Sequence, residues 1–192
     1  MELTEFAEIN DGKNVLTGEE KASIYYFLAT KKTGSQLMFS TKRRAQNYFI
    51  ERVVTCRTGQ WNSESVVDAI TFTTNEDILL TGIGLYTGYD GNGYAVDIEI
   101  LQSTESLFKK RFKVPSTGDG NQLQVLIDAP IHITAGLHYS VIAVPDASIG
   151  HYGAPCQAVC TKENVTFTFS KHRESDSTSE IKGQIPRLYF CY

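Results

Sequence analysis

From Asn47 onward, the sequence alternates between apolar and polar residues in short segments. In YAVDIEI, residues 94–100, an extended chain would place four apolar side chains on one face and two acids on the other. Gly, Asp, Asn and Pro separate such segments at intervals of about eight to fourteen residues, which predicts an antiparallel β-sandwich or barrel of roughly nine to eleven strands. The other alternating segments are Val67–Thr74, Leu123–Ile127, Leu137–Val144 and Val165–Phe169.

The first 45 residues follow a different pattern. Thr17 and Glu20 form a capping box at the start of TGEEKASIYYFLATK, and the apolar residues that follow recur at helical spacing. A second, shorter helical turn is expected after Thr4. We therefore predict a short α-helical segment over residues 1–45, which ends in a polar, basic and solvated connector over residues 31–44, and a mainly β domain over 46–192.

Charge and hydropathy exclude several classes of partner. The net charge of -4 gives no overall attraction to nucleic-acid phosphates, and no apolar run is long enough to span a bilayer. The N-terminal MELTEFAEIN lacks the apolar stretch of a secretory signal. The sequence thus predicts a monomeric, cytoplasmic protein that binds neither nucleic acid nor membranes.

A glycine-rich stretch, TGIGLYTGYDGNGYAVDIEI, covers residues 81–100. A phosphate loop would lead into a helix and an EF-hand would end in a glutamate, but this stretch leads into a strand. Gly82 and Gly84 are expected on one face of a strand, where a missing side chain lets a neighbour approach closely. The glycines of Gly88–Gly93 are expected to supply positive φ angles in a tight hairpin.

Catalytic and metal-binding signals are weak. The sequence has no G-x-S-x-G elbow and no helical histidine pair, and Asp97 and Glu99 lie on the solvated face of a predicted strand. Neither an enzyme nor a cofactor is predicted. Cys156 and Cys160 with His151 would make a metal site only with a second pair of ligands, so the favoured interpretation of all four cysteines is reduced thiols.

Seven short motifs, taken in order, closely resemble the PHR domain over roughly residues 47–192. The N-terminal segment similarly resembles the end of a BACK region. The resemblance implies an antiparallel β-sandwich at the C-terminal end of a BTB-BACK-PHR protein. The motifs are W at Trp61, DAITF at 68–72, GIGLY at 82–86, YAVDIEI at 94–100, API at 129–131, HYG at 151–153 and GQIP at 183–186.

This resemblance implies a protein-binding module that recognises substrates for a cullin-RING ubiquitin ligase. Contact with the cullin is expected only in the full-length adaptor. The alternative is an extracellular or carbohydrate-binding jelly roll, which shares the strand pattern. A count of free thiols would discriminate between the two, because two disulfides would favour the extracellular class.

Three loops rich in glycine and aromatic residues are the candidate binding surface. They are Thr58–Ser65, Thr87–Gly93 and Pro145–Ala154, and in a sandwich they can share one end. Aromatic rings and a charge are typical of protein-binding hot spots. The predicted partner-binding residues are Trp61, Tyr86, Tyr89, Asp90, His151 and Tyr152.

Overall fold

A computed structural model describes residues 47–58, 66–88, 91, 93–117, 121–147 and 151–192. These ranges contain twelve β-strands, numbered here in chain order. The strands are β1 (Tyr48–Glu51), β2 (Cys56–Thr58), β3 (Asp68–Thr74), β4 (Ile78–Tyr86), β5 (Tyr94–Gln102), β6 (Glu105–Val114), β7 (Gln122–Ile133), β8 (Tyr139–Pro145), β9 (His151–Gly153), β10 (Val159–Lys162), β11 (Val165–Lys171) and β12 (Arg187–Cys191).

The strands form three sheets in which every neighbouring pair is antiparallel. A four-stranded sheet has the order β1-β12-β4-β7, and a six-stranded sheet has the order β10-β11-β3-β8-β5-β6. A small third sheet pairs β2 with β9. Strands distant in sequence are neighbours in the four-stranded sheet, because β12 lies between β1 and β4.

The two larger sheets pack together around one hydrophobic cluster. In the six-stranded sheet, Phe72 and Ile98 are fully buried, as the alternation of their strands predicts. The rings of Phe167 and Phe190, from opposite sheets, have centroids 5.2 Å apart. The expectation of a mainly β chain with antiparallel sheets packed together is confirmed.

Several details differ from the sequence prediction. The described residues hold twelve strands rather than nine to eleven, and four of the twelve have only three or four residues. Such short strands leave too few alternating positions to detect. The helical segment predicted over 1–45 lies outside the described residues. Within those residues, no helix has the length and apolar character needed to cross a membrane.

Gly82 and Gly84 lie where neighbouring groups of the four-stranded sheet leave no room for a side chain. A Cβ at Gly82 would lie 2.8 Å from the Val125 carbonyl oxygen, and one at Gly84 would lie 2.8 Å from the Cβ of Arg187. Contacts this short do not occur between real side chains, so the predicted close approach is confirmed.

Polar side chains reach across the same face of this sheet. Arg187 Nη2 donates to Glu51 Oε2 over 2.8 Å, and Gln122 Nε2 donates to Glu51 Oε1 over 2.9 Å. Glu51 lies on β1 and Gln122 on β7, the two outermost strands of the sheet. The flat surface at Gly84, which pairs with Arg187, leaves room for this hydrogen-bonded bridge.

The glycine cluster that follows β4 does not form a β-hairpin. Strands β4 and β5 belong to different sheets, so the connection crosses from one sheet to the other. Gly91 has the expected positive φ of 81°, whereas Gly93 does not have a positive φ. The Gly88 amide donates to the Pro115 carbonyl over 3.0 Å, which ties the connection to the end of β6. The hairpin prediction was wrong because turn chemistry does not report which strands pair.

Candidate partner-binding surface

The first and third predicted loops are flanked by neighbouring strands. In the small β2–β9 sheet, Thr58 is opposite His151 and Arg57 is opposite Tyr152. The Arg57 Nε also donates to the Ala154 carbonyl over 2.9 Å. Because Thr58 begins the first loop and His151 lies near the end of the third, both loops emerge from one edge.

The second loop ends beside the start of the third. The Asp146 amide donates to the Ala95 carbonyl over 2.9 Å, and the Ala95 amide donates to Asp146 Oδ1 over 2.7 Å. Arg111 then binds both Asp97 and Asp146, at 2.7 and 2.6 Å. This reciprocal pairing fixes the first turn after β8 against the beginning of β5.

Tyr86 contacts residues that flank both the first and the second loop. It ends β4 fully buried, and its carbonyl accepts a hydrogen bond of 2.6 Å from the Tyr94 hydroxyl. The Cys56 thiol lies beside its ring hydroxyl. Burial raises the pKa of Tyr86 far above its ordinary value, and the Cys56 thiol adds to the increase. The described flanks of all three loops therefore lie at the same end of the fold.

The six predicted partner-binding residues fall into three groups. Tyr86 is 0% exposed and His151 is 1% exposed, so neither ring is presented to a partner as the sequence suggests. Both rings belong to strand ends rather than to loop tips, since Tyr86 ends β4 and His151 begins β9. Tyr152 is half-buried. Trp61, Tyr89 and Asp90 lie outside the described residues.

The segment between β11 and β12 supports the small β2–β9 sheet, a role that the sequence did not reveal. Gly153 and Gly183 exchange two backbone hydrogen bonds of 2.9 and 3.0 Å. The buried Gln184 side chain donates through Nε2 to the His151 carbonyl. Nothing in the polar sequence of residues 172–184 indicates this contact, since it depends on chain segments about thirty residues apart.

Arg52 is a second residue that the sequence analysis missed. Only 1% exposed, it donates through its guanidinium to the carbonyls of Ser179 and Ile185, and it lies over the Phe169 ring at 5.5 Å. Burial lowers its pKa from the ordinary arginine value. One signal was available, because in FIERVV the alternation places Arg52 on the same face as the buried Ile50.

The cysteines are thiols rather than halves of disulfides. Cys156 Sγ donates to the Gly153 carbonyl over 3.4 Å, and Cys160 Sγ contacts the Gln157 side chain at 3.5 Å. Burial raises the pKa of both thiols, an effect opposed by the nearby Arg52 charge. In the part of the chain that the structure describes, no group of three or more His, Cys, Asp or Glu side chains is placed to hold a metal ion.

Comparison with known proteins gives a family match over most of the chain. A family model described as the PHR domain matches residues 52–191. This range includes all of the described strands except β1, together with the three loops. It agrees with the resemblance carried by the seven sequence motifs.

Two kinds of relative share this similarity. BTB/POZ domain-containing protein 6-A of Danio rerio is 29% identical over 197 residues, covering 99% of this chain and 36% of the relative. The Homo sapiens BTB/POZ domain-containing protein 6 is 27% identical over 196 residues, with 99% and 36% covered. The E3 ubiquitin-protein ligase highwire of Drosophila melanogaster is 26% identical over 152 residues, with 69% and 3% covered. The chain thus spans a little over a third of the length of the first two relatives.

Proposed function

Because the chain belongs to the PHR domain family, we propose that it is a protein-binding module that selects substrates for a ubiquitin ligase. The observation that carries this proposal is similarity to BTB/POZ domain-containing relatives over 99% of the chain. A further relative with the matching region is named as an E3 ubiquitin-protein ligase. Residues 46–192 would recognise the substrate, and residues 1–45 would be the end of a BACK region that connects to a BTB domain. Cullin binding would then belong to the longer protein.

We place substrate recognition on the loop surface, defined as the loops Thr58–Ser65, Thr87–Gly93 and Pro145–Ala154. Trp61, Tyr89, Asp90 and Tyr152 are the proposed contact residues. The buried Tyr86 and His151 would act indirectly by holding the loops in position. Rigid strands beneath variable loops are a common arrangement in recognition domains, and the convergence of the loop flanks supports this assignment.

The carbohydrate-binding alternative has less support. The family match is to the PHR domain, and the cysteines are thiols rather than the disulfides typical of small extracellular modules. We therefore retain a single proposed function.

A comparative purification tests the proposal. The intact protein, its Trp61→Ala/Tyr89→Ala variant and a Leu126→Ala control would be purified from cells with their partners and quantified by mass spectrometry. Leu126 is 61% exposed on β7, in the sheet that does not contain β5. A true substrate should be retained by the control, be reduced about tenfold or more by the double variant, and bind the 192-residue chain directly. Its ubiquitination should depend on the intact protein. If no captured protein discriminates between the two variants, the loop assignment is wrong.

A further inference from the structure

A cavity of about 440 Å³ opens on the outer face of the six-stranded sheet. Thr71, Ser140 and Leu101 from three neighbouring strands form its floor, because Ser140 pairs with Thr71 on one side and Leu101 on the other. Leu101 lies near the end of β5, whereas the loop surface lies at the start of that strand. At about 3.3 Å per residue, the two sites are roughly 25 Å apart.

The floor of the cavity carries hydroxyl groups. Thr71 Oγ1 and Ser140 Oγ are 2.9 Å apart and share a hydrogen bond, and Ser140 is only 7% exposed. A hydroxyl group has one proton to donate and two lone pairs. When one of this pair donates to the other, the acceptor still has its own proton for a ligand.

One wall of the cavity is the tip of the β5–β6 hairpin, which includes Ser103 and Thr104. Ser103 has a φ of 55°, in the left-handed region where glycine is favoured. Its amide donates to the His138 carbonyl over 3.3 Å. A positive φ belongs to the tight turn of a two-residue hairpin, and Glu163 in the β10–β11 hairpin has a similar φ of 54°, so this conformation fixes the tip of the hairpin at the edge of the cavity.

The opposite wall is a turn, residues 172–174, that is held in place on both sides. Lys171 before it pairs with Ile70 in the sheet. Ser175 after it accepts a 3.2 Å hydrogen bond from the Ala69 amide and donates one of 2.7 Å to the Thr178 carbonyl. The turn therefore presents its side chains to the cavity from a fixed backbone.

This turn supplies the cationic and imidazole donors. The Glu174 amide donates to His172 Nδ1 over 3.2 Å, which leaves the imidazole proton on Nε2 as a donor. The Arg173 guanidinium lies 3.3 Å from the Glu174 carboxylate, and both groups are exposed. Exposed ion pairs of this kind are weak, so a stronger anion can displace the carboxylate from Arg173.

From this arrangement we propose that the cavity binds a phosphomonoester, namely a phosphorylated serine or threonine of a partner protein. A phosphate has three terminal oxygens and close to two negative charges, which match hydroxyl, imidazole and guanidinium donors. The volume exceeds what one phosphate requires, and Leu101 offers apolar contact to a neighbouring residue. The choice of a protein ligand rests on the proposed function, while the phosphate chemistry rests on the cavity alone.

NMR titration of the isotope-labelled 192-residue chain tests this site directly. The probes are acetyl-Ala-pSer-Ala-amide, the same peptide with unmodified serine, and inorganic phosphate. We expect the phosphopeptide to shift the amide signals of Thr71, Ser103, Ser140 and Arg173. We expect the unmodified peptide to leave them in place, and inorganic phosphate to bind at least about fivefold more weakly because it lacks the peptide contacts.

Three variants sharpen the test. Arg173→Ala should weaken phosphopeptide binding about tenfold, since it removes the guanidinium. Glu174→Gln should strengthen binding about twofold by removing the competing carboxylate. Ser103→Gly should weaken binding because it removes a side chain from the wall of the cavity. The melting temperature should stay the same or rise, because glycine accepts this φ. The matched control is Lys162→Ala, which removes an exposed positive charge from the same sheet at a residue that does not line the cavity, and should leave binding within about twofold of the wild type.

Several results would overturn the inference. Absence of shifts at the cavity, or equal shifts with the unmodified peptide, would exclude phosphate recognition. Equal affinity for inorganic phosphate and phosphopeptide would exclude a protein ligand. An equal loss with Lys162→Ala would mean that general charge, not the cavity, attracts the peptide. Selective loss of partners in the Trp61→Ala/Tyr89→Ala variant would still support the proposed function, so the two hypotheses can fail separately.

Discussion

The two larger sheets of the molecule face solvent in different ways. The six-stranded sheet carries threonines and ion pairs such as Glu99–Lys109 on its outer face. These side chains lie side by side, because every second residue of each strand points outward. In the four-stranded sheet, Gly82 and Gly84 allow neighbouring groups to close over them. The first surface depends on local alternation, and the second depends on close contact between distant segments of the chain.

This difference predicts how each sheet responds to substitution. On the six-stranded sheet, an outward side chain can be exchanged with little effect, because its neighbours lie beside it rather than above it. On the four-stranded sheet, an added side chain must move backbone or break the bridge from Glu51 to Arg187 and Gln122.

Gly84→Glu is expected to have the largest effect. Its Cβ would clash with Arg187, and its carboxylate would compete with Glu51 for the same arginine. We expect a loss of at least about 3 kcal/mol in the free energy of unfolding, or failure to fold. Urea denaturation of the 192-residue chain measures this change.

The matched control for that substitution is Thr168→Glu. Thr168 is exposed on β11, an interior strand of the six-stranded sheet. The same glutamate there should change the free energy of unfolding by less than about 1 kcal/mol. Similar losses for the two variants would contradict the contrast between the sheets.

Arg52→Ala is the second prediction. It leaves the carbonyls of Ser179 and Ile185 without their buried donor and creates a void against Phe169. We expect a loss of about 3 kcal/mol in the free energy of unfolding. Arg52→Lys should recover less than half of this loss, because a lysine ammonium lacks the planar array of donors with which the guanidinium binds both carbonyls. Full stability of the lysine variant in thermal denaturation would show that charge alone is sufficient at this site.

Two tyrosine hydroxyls test the connections between the sheets. At the end that carries the loop surface, Tyr94 donates to the Tyr86 carbonyl over 2.6 Å, and at the other end Tyr139 accepts from the Thr134 amide over 3.0 Å. Removing either hydroxyl leaves one polar backbone group without its partner. We expect Tyr94→Phe to cost about 2 kcal/mol, and Tyr139→Phe about 1 kcal/mol because its bond is longer and only partly buried. A larger loss of unfolding free energy for Tyr139→Phe than for Tyr94→Phe in chemical denaturation would mean that the hydroxyl at the end opposite the loops contributes more to stability.

The same contrast explains which features the sequence could predict. Strand β5 was predicted almost to the residue because its alternating residues Tyr94, Val96, Ile98 and Ile100 are buried, whereas both of its acids lie on the opposite face. Strands β1, β2, β6, β9, β10 and β12 were not individually predicted. The existence of β1, β2, β9 and β12 depends on pairing with partners far along the chain, whereas β10 has only four residues and β6 is an edge strand with one buried residue in ten.

The candidate site shows the same limit. Glycine and aromatic residues drew attention to three loops, and the described flanks of these loops meet at one end. Composition did not distinguish the buried Tyr86 and His151 from residues available to a partner, because a ring at a strand end packs inward or outward according to its neighbours. The cavity beside Arg173 was not predicted, since its walls come from four segments that only the sheet brings together.

Glu99→Gln is expected to have the smallest effect and tests the six-stranded sheet by pH. The hydrogen bond from Lys109, at 2.9 Å, lowers the pKa of Glu99 below its ordinary value. A carboxyl with a lowered folded-state pKa stabilises the protein above its unfolded-state pKa, and this contribution is lost as the pH falls through the folded-state value. The wild type should therefore unfold at a slightly higher urea concentration than Glu99→Gln at pH 7, and the two midpoints should converge as the pH falls below the ordinary glutamate range. A difference that persisted in acid would mean that Glu99 stabilises β5 by packing, and the surface of this sheet would then be less tolerant than its alternation indicates.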